Sequence, residues 1–263
     1  MNQLNARSPS TIRFIEFMGL PGSGKSTIAS YLESDLKKHG IRTVSRSVEL
    51  ADNASFLWRH FRRFLHVVRN GARCRHLYLL AFRAIRSSCQ RSPWDQAKVT
   101  WNFWSVIALM ADCRAGRDSI TIFDQGLFQA IWSVQLSSSK ELPASIWKEL
   151  LHGAGISDLL VVNVQSEIPV ASNRLVARTA NRTRLGLQSD DLDSSWRIAA
   201  GNMTGLIDLA YMVLPRDHAG DRVITIENDA SCPRAAAAEI ASAFLARAEQ
   251  VRPAGFPDLC HNI

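Results

Sequence analysis

Residues 19–26 read Gly-Leu-Pro-Gly-Ser-Gly-Lys-Ser, which fills the pattern G-x-x-x-x-G-K-[ST] completely. Phosphate binding needs each part of it. Gly19, Gly22 and Gly24 let the backbone curl until successive N–H groups converge on anionic oxygens, with Leu20, Pro21 and Ser23 supplying the rest of the turn. A helix starting just afterwards would add its free N–H groups and the positive end of its dipole. Lys25 brings a mobile positive charge for the β- and γ-phosphates. The Ser26 hydroxyl can ligate Mg²⁺, and Thr27 can donate to the α-phosphate. A chance match is expected on the order of once in a hundred chains of this size. Because this match falls where a strand should give way to a helix, the motif predicts a bound nucleoside triphosphate with Mg²⁺.

Three further groups have the right chemistry for phosphoryl transfer. Asp124 follows the apolar run 119–123, and a carboxylate at the C-terminal end of a parallel strand faces the ligand crevice, where it would hold Mg²⁺ directly or through water. Glu49 follows the run 41–48 and is the candidate base, or orienting group, for an acceptor hydroxyl, with Asp52 as the alternative. Arg174, Arg178, Arg182 and Arg184 recur at near-helical spacing. Arg178 and Arg182 share a face, from which they would neutralise charge on the transferring group.

No asparagine is followed by lysine, so the N-K-x-D guanine reader is missing, and no L-S-G-G-Q-like signature occurs. A GTPase and a transporter ATPase are thereby disfavoured, which leaves ATP as the expected nucleotide. At four places the chain resembles the thymidylate kinase and deoxynucleoside kinase group of P-loop kinases. They are Phe17-Met-Gly-Leu-Pro-Gly-Ser-Gly-Lys-Ser-Thr27, Glu49, Phe123-Asp124-Gln125-Gly126, and Arg174-Leu-Val-Ala-Arg178 with Arg182 and Arg184. The resemblance implies transfer of the γ-phosphate of Mg-ATP to a small-molecule acceptor: a nucleoside, a nucleoside monophosphate or a sugar. It also implies an acceptor-facing role for Glu49 and a lid carrying Arg178 and Arg182. Gln125 departs from the group, which usually has an arginine there that contacts the acceptor.

These residues need a scaffold. Runs at 12–18, 41–48, 119–123, 158–164 and 222–226 read as strands, the first with charged interruptions at Arg13 and Glu16. Helical spacing is seen over 26–39, 57–68, 77–86, 97–113, 192–214 and 233–250, with the end of a helix at 146–152 and a basic helix and lid at about 173–190. Strands alternating with helices predict an α/β fold, a five-stranded parallel sheet flanked by helices in three layers, of the P-loop NTPase type. The whole chain, 1–263, reads as one kinase-like domain with a helical insertion at about 52–117.

The insertion holds the charge anomaly. The net charge is +7, yet between Asn53 and Trp94 there are nine arginines, no lysine and no acid, so the remainder sums to −2. In its first helix Phe61, Phe64, Leu65 and Val68 are expected to pack inward, with Arg59, Arg62, Arg63 and Arg69 outward. An anionic acceptor, a nucleic acid, an anionic membrane surface and a merely solvated face all remain open readings of this charge. The nucleic-acid and membrane readings go with an NTPase or a polynucleotide kinase as the alternative function. His60, His66 and His76 read as surface or packing residues, and Trp94, Trp101 and Trp104 as core or as acceptor-pocket walls. The five cysteines form no C-x-x-C pair, and the first residues lack the apolar stretch of a secretion signal. The expectation is a reducing, cytoplasmic setting.

Overall fold

The computed structural model describes residues 12–46, 56–115, 119–177, 192–215, 221–228 and 232–250. The short apolar run Phe14–Met18 forms strand β1, buried along its whole length. Helix α1 (Lys25–Lys38) follows the glycine-rich turn and ends before Gly40, whose left-handed φ of 72° closes it. Strand β2 (Thr43–Arg46) leads to three helices, α2 (Phe56–Arg69), α3 (Gly71–Ser87) and α4 (Pro93–Ala115). Strand β3 (Ile120–Phe123) precedes α5 (Leu127–Ser137) and α6 (Ala144–Gly153). The chain then runs through β4 (Leu159–Gln165), α7 (Ile168–Val176), α8 (Leu192–Val213), β5 (Val223–Glu227) and α9 (Pro233–Gln250).

All four strand pairings are parallel, in the order β2-β3-β1-β4-β5. The chain moves one way from β1 to β2 and the opposite way through β3, β4 and β5. Right-handed crossovers therefore place α1 on one face of the sheet and the helices between later strands on the other. The two apolar cores match this division. Ile15, Phe17, Leu160 and Val162 pack with Ile28, Leu32 and Leu36 of α1 and with Ile240 and Phe244 of α9. Phe14, Met18, Phe123 and Val161 face the opposite core, which is filled from α3, α4, α5, α6 and α8. The expected α/β class and five-stranded parallel sheet are present.

Some boundaries differ from expectation for identifiable reasons. Helix α4 starts at Pro93, not at 97, because the Ser92 hydroxyl accepts from the Asp95 N–H at 3.0 Å and donates to its carboxylate at 2.8 Å. This cap begins a helix in which proline occupies the first position. Helix α5 falls outside the elements expected from the sequence. Leu127, Phe128, Ile131, Trp132, Val134 and Leu136 are all buried, Gln129 and Ser137 are buried with them, and the segment carries no charged residue, so its polar stripe is weak.

Candidate functional site

The loop from Gly19 to Gly24 joins β1 to α1 in the strand–turn–helix setting that the motif requires. Gly22 and Gly24 hold left-handed φ values of 83° and 94°, where an L side chain is strained. Both glycines are also closed in from outside. A β-carbon on Gly22 would lie 2.1 Å from the Ala171 carbonyl oxygen, and one on Gly24 would lie 2.3 Å from Asn228 Nδ2. That amide donates to the carbonyl of fully buried Ser23 at 2.6 Å. Asn228 is fixed in turn, since its N–H donates to the Gln165 carbonyl at 2.9 Å and its carbonyl accepts from Arg174 Nη1 at 2.9 Å. The loop is thus pinned by α7 and by the segment after β5.

The start of the following helix is accessible, with Ser26 and Thr27 exposed. Helix α1 has no side-chain cap and no acid in its first turn, so its first N–H groups and dipole face outward at Lys25, Ser26 and Thr27. Lys25 Nζ donates to the Gly19 and Leu20 carbonyls, each at 2.8 Å, which lays the ammonium along the loop. Ser26 Oγ donates to Asp124 Oδ2 at 3.5 Å, which brings the loop hydroxyl to the carboxylate at the end of β3. A hydroxyl and a carboxylate are hard oxygen donors of the kind Mg²⁺ takes alongside phosphate oxygens. A cavity of about 290 Å³ opens beside the loop, sharing Gly19 and Leu20 with it and bounded by Asn163, Gln165, Met203 and Ile207.

Next to Asp124 lies a carboxyl group with a different role. Glu16 is fully buried on β1, and its side chain enters the N-terminus of α5. Gln129 N–H donates to Oε1 at 3.0 Å, while the N–H groups of Gly126, Leu127 and Phe128 also face the carboxyl. Burial raises its pKa from 4.5 to about 7 against the opposing pull of these N–H groups. Gly126 is required for the fit, because a β-carbon there would fall 2.4 Å from Glu16 Cδ. Glu16 therefore braces the turn Asp124-Gln125-Gly126. The signal in the sequence was an acid inside a strand run, which has to find partners once the strand is buried. Asn228 gave no comparable signal, since an asparagine after a strand is ordinary.

The structure brings Lys25, Ser26 and Asp124 together. Arg174 is held to the loop support through Asn228. Glu49, Asp52, Arg178, Arg182 and Arg184 lie outside the described residues, as does the lid beyond residue 177. In the insertion the inward packing expected of α2 is overturned. Phe61, Phe64, Leu65 and Val68 are each about half exposed or more, whereas Val67 and Asn70 are buried and Arg62 and Arg63 are partly covered. The reason is rotational: His66 pairs with Asp112 of α4, and Asn70 Nδ2 donates to the same carboxylate at 2.8 Å, turning that side of α2 inward. Trp94 is 77% exposed and belongs to no core, while Trp101 and Trp104 line a cavity of about 370 Å³ with Phe82 and Thr100.

No protein-family model and no curated protein matches this sequence. Solved structures similar to it include shikimate kinase from Acinetobacter baumannii in complex with shikimate, at 15% identity and a TM-score of 0.47, covering 90% of this chain and 94% of that one. Deoxyadenosine kinase from M. mycoides with bound products gives 12% identity and a TM-score of 0.49 over 87% of this chain and 97% of that one. The APS kinase CysC of Mycobacterium tuberculosis, in complex with AMPPNP and APS, gives 15% identity and a TM-score of 0.42 over 90% and 99%. At such values the likeness does not reach individual site residues or substrates.

Proposed function

We propose that this chain is a P-loop phosphotransferase that moves the γ-phosphate of Mg-ATP to a small-molecule acceptor. The observation that carries the reading is the approach of Ser26 Oγ to Asp124 Oδ2 at 3.5 Å, at the mouth of a phosphate loop with an uncapped helix behind it. The loop with its hydroxyl and the carboxylate come from two parts of the chain nearly a hundred residues apart and converge on one point. In the proposed assignment the loop N–H groups and the start of α1 bind the phosphates, and Lys25 follows the charge on the transferring group. Ser26 and Asp124 would hold Mg²⁺, which when bound neutralises charge on the phosphate oxygens. Glu16 keeps Asp124 in place through the turn it braces. The cavity beside the loop supports a small acceptor: a nucleoside, a nucleoside monophosphate or a sugar. Roles for Glu49 as base or orienting group, and for Arg178 and Arg182 as closing charges, rest on the sequence pattern alone, as does treating the whole chain as one kinase unit.

The test is ADP release from Mg-ATP across a panel of these acceptors, with Lys25→Ala as the control. Stimulation by one class, abolished in the variant, is the expected result and would name the acceptor. Equal, slow turnover with every acceptor would sink the small-molecule reading.

A further inference from the structure

Helix α2 shows solvent the side that an ordinary surface helix buries. Trp58, Phe61, Phe64, Leu65 and Val68 are between 48% and 58% exposed. At about 100° per residue they occupy one arc of about 120°, running the length of the helix. Arg62 and Arg69 follow along one edge of that arc, and α3 joins α2 through Asn70 alone. The exposed side of α3 carries Arg75, Arg83 and Arg86 around Leu79, itself 45% exposed. No acidic residue occurs between Asn53 and Trp94 to balance these charges.

We propose that this face of α2, with the arginines beside it, docks on an anionic lipid bilayer, with the helix lying in the interface. The apolar arc would enter the boundary between headgroups and acyl chains, while the arginines reach the negative headgroups with their aliphatic stems along the apolar layer. Charge complementarity selects this occupant. A second copy paired antiparallel about a two-fold axis would set the same arginines against one another. A nucleic acid would answer the arginines but not Leu65 and Val68, and the rings it would stack on already stack on protein. Trp58 lies on Phe61 with centroids 5.7 Å apart, and Phe64 lies on Trp101 at 6.4 Å. Among the described residues no helix is long and apolar enough to cross a membrane, so the contact is with the surface. The proposal does not depend on the phosphotransfer reading.

The test is co-flotation of the full chain with vesicles of phosphatidylcholine alone, or of equal parts phosphatidylcholine and phosphatidylglycerol. Flotation is expected only with the anionic vesicles and should fall as salt is raised. Phe61→Ser with Val68→Ser should weaken it at least about tenfold, and Arg62→Gln with Arg69→Gln about twentyfold. Trp58 emission, obtained by subtracting a Trp58→Phe variant, should shift to the blue on anionic vesicles. If either double variant melts early, that shift in the otherwise unmodified chain decides alone. The proposal is overturned by equal flotation with both compositions, by flotation with neither, or by anionic flotation that survives loss of Phe61 and Val68. It is likewise overturned by a dimer that those two substitutions dissociate, or by binding to a mixed-sequence oligonucleotide in place of vesicles.

Discussion

Two helix N-termini lie side by side at the C-terminal ends of neighbouring strands, each behind a glycine, and they are filled differently. That of α1, after β1 and Gly24, has no side-chain cap and faces outward. That of α5, after β3 and Gly126, receives the buried Glu16 carboxyl from β1. The same N–H groups and dipole serve opposite ends. One terminus is left for a ligand's negative charge, and the other is filled by the protein's own acid so that the turn carrying Asp124 stands still.

Substitutions at the two termini should therefore fail in different ways. The largest effect is expected from Lys25→Ala at the open terminus: ATP-dependent turnover should fall on the order of a hundredfold to a thousandfold with the melting temperature nearly unchanged. A large drop in melting temperature would instead make Lys25 a structural residue and erase the contrast.

The filled terminus should respond to pH. The folded chain keeps a proton on Glu16 that the unfolded chain has already released, so this stabilisation is complete below 4.5 and is lost as pH rises through about 7. Between pH 5 and pH 8 the wild type should lose up to about 3 kcal/mol more stability than Glu16→Gln, which cannot titrate. Parallel urea-melt curves for the two proteins across that range would refute the assignment. Gly126→Ala places a methyl against the same carboxyl and should cost about 1–3 kcal/mol, with turnover reduced through the displaced Asp124. An alanine variant as stable as the wild type would show that the turn has slack.

The smallest effect is expected at the loop support. Asn228→Ala leaves the buried Ser23 carbonyl without its donor and should cost about 1–2 kcal/mol, together with a modest loss of ATP affinity by calorimetry. Unaltered affinity would confine Asn228 to stability.

The open terminus was legible in the sequence because its parts are adjacent: glycines, lysine and serine follow one another at fixed spacing, and Asp124 closes a strand of clear pattern. The filled terminus was not. Glu16 and Gly126 are 110 positions apart in the numbering, and the helix Leu127–Ser137 is mostly buried and carries no charged residue, so no charged face announced it. The turning of α2 was hidden for a related reason. Periodicity showed that Phe61, Phe64, Leu65 and Val68 share a side, but not which side faces α4. His66 and Asn70 decided that through Asp112, 42 to 46 residues further on.

The sheet also has a consequence for how the chain can change over time. The helices α1 and α9 occupy one face, and the arginine-rich helices belong to the core on the other. Replacements of the exposed Arg69, Arg75, Arg83 and Arg86 meet solvent, while Ile28, Leu32 and Leu36 of α1 pack with α9 and their own face of the strands. Inheritance can therefore vary the charged outer surface of α2 and α3 while the α1 side of the sheet is passed on intact.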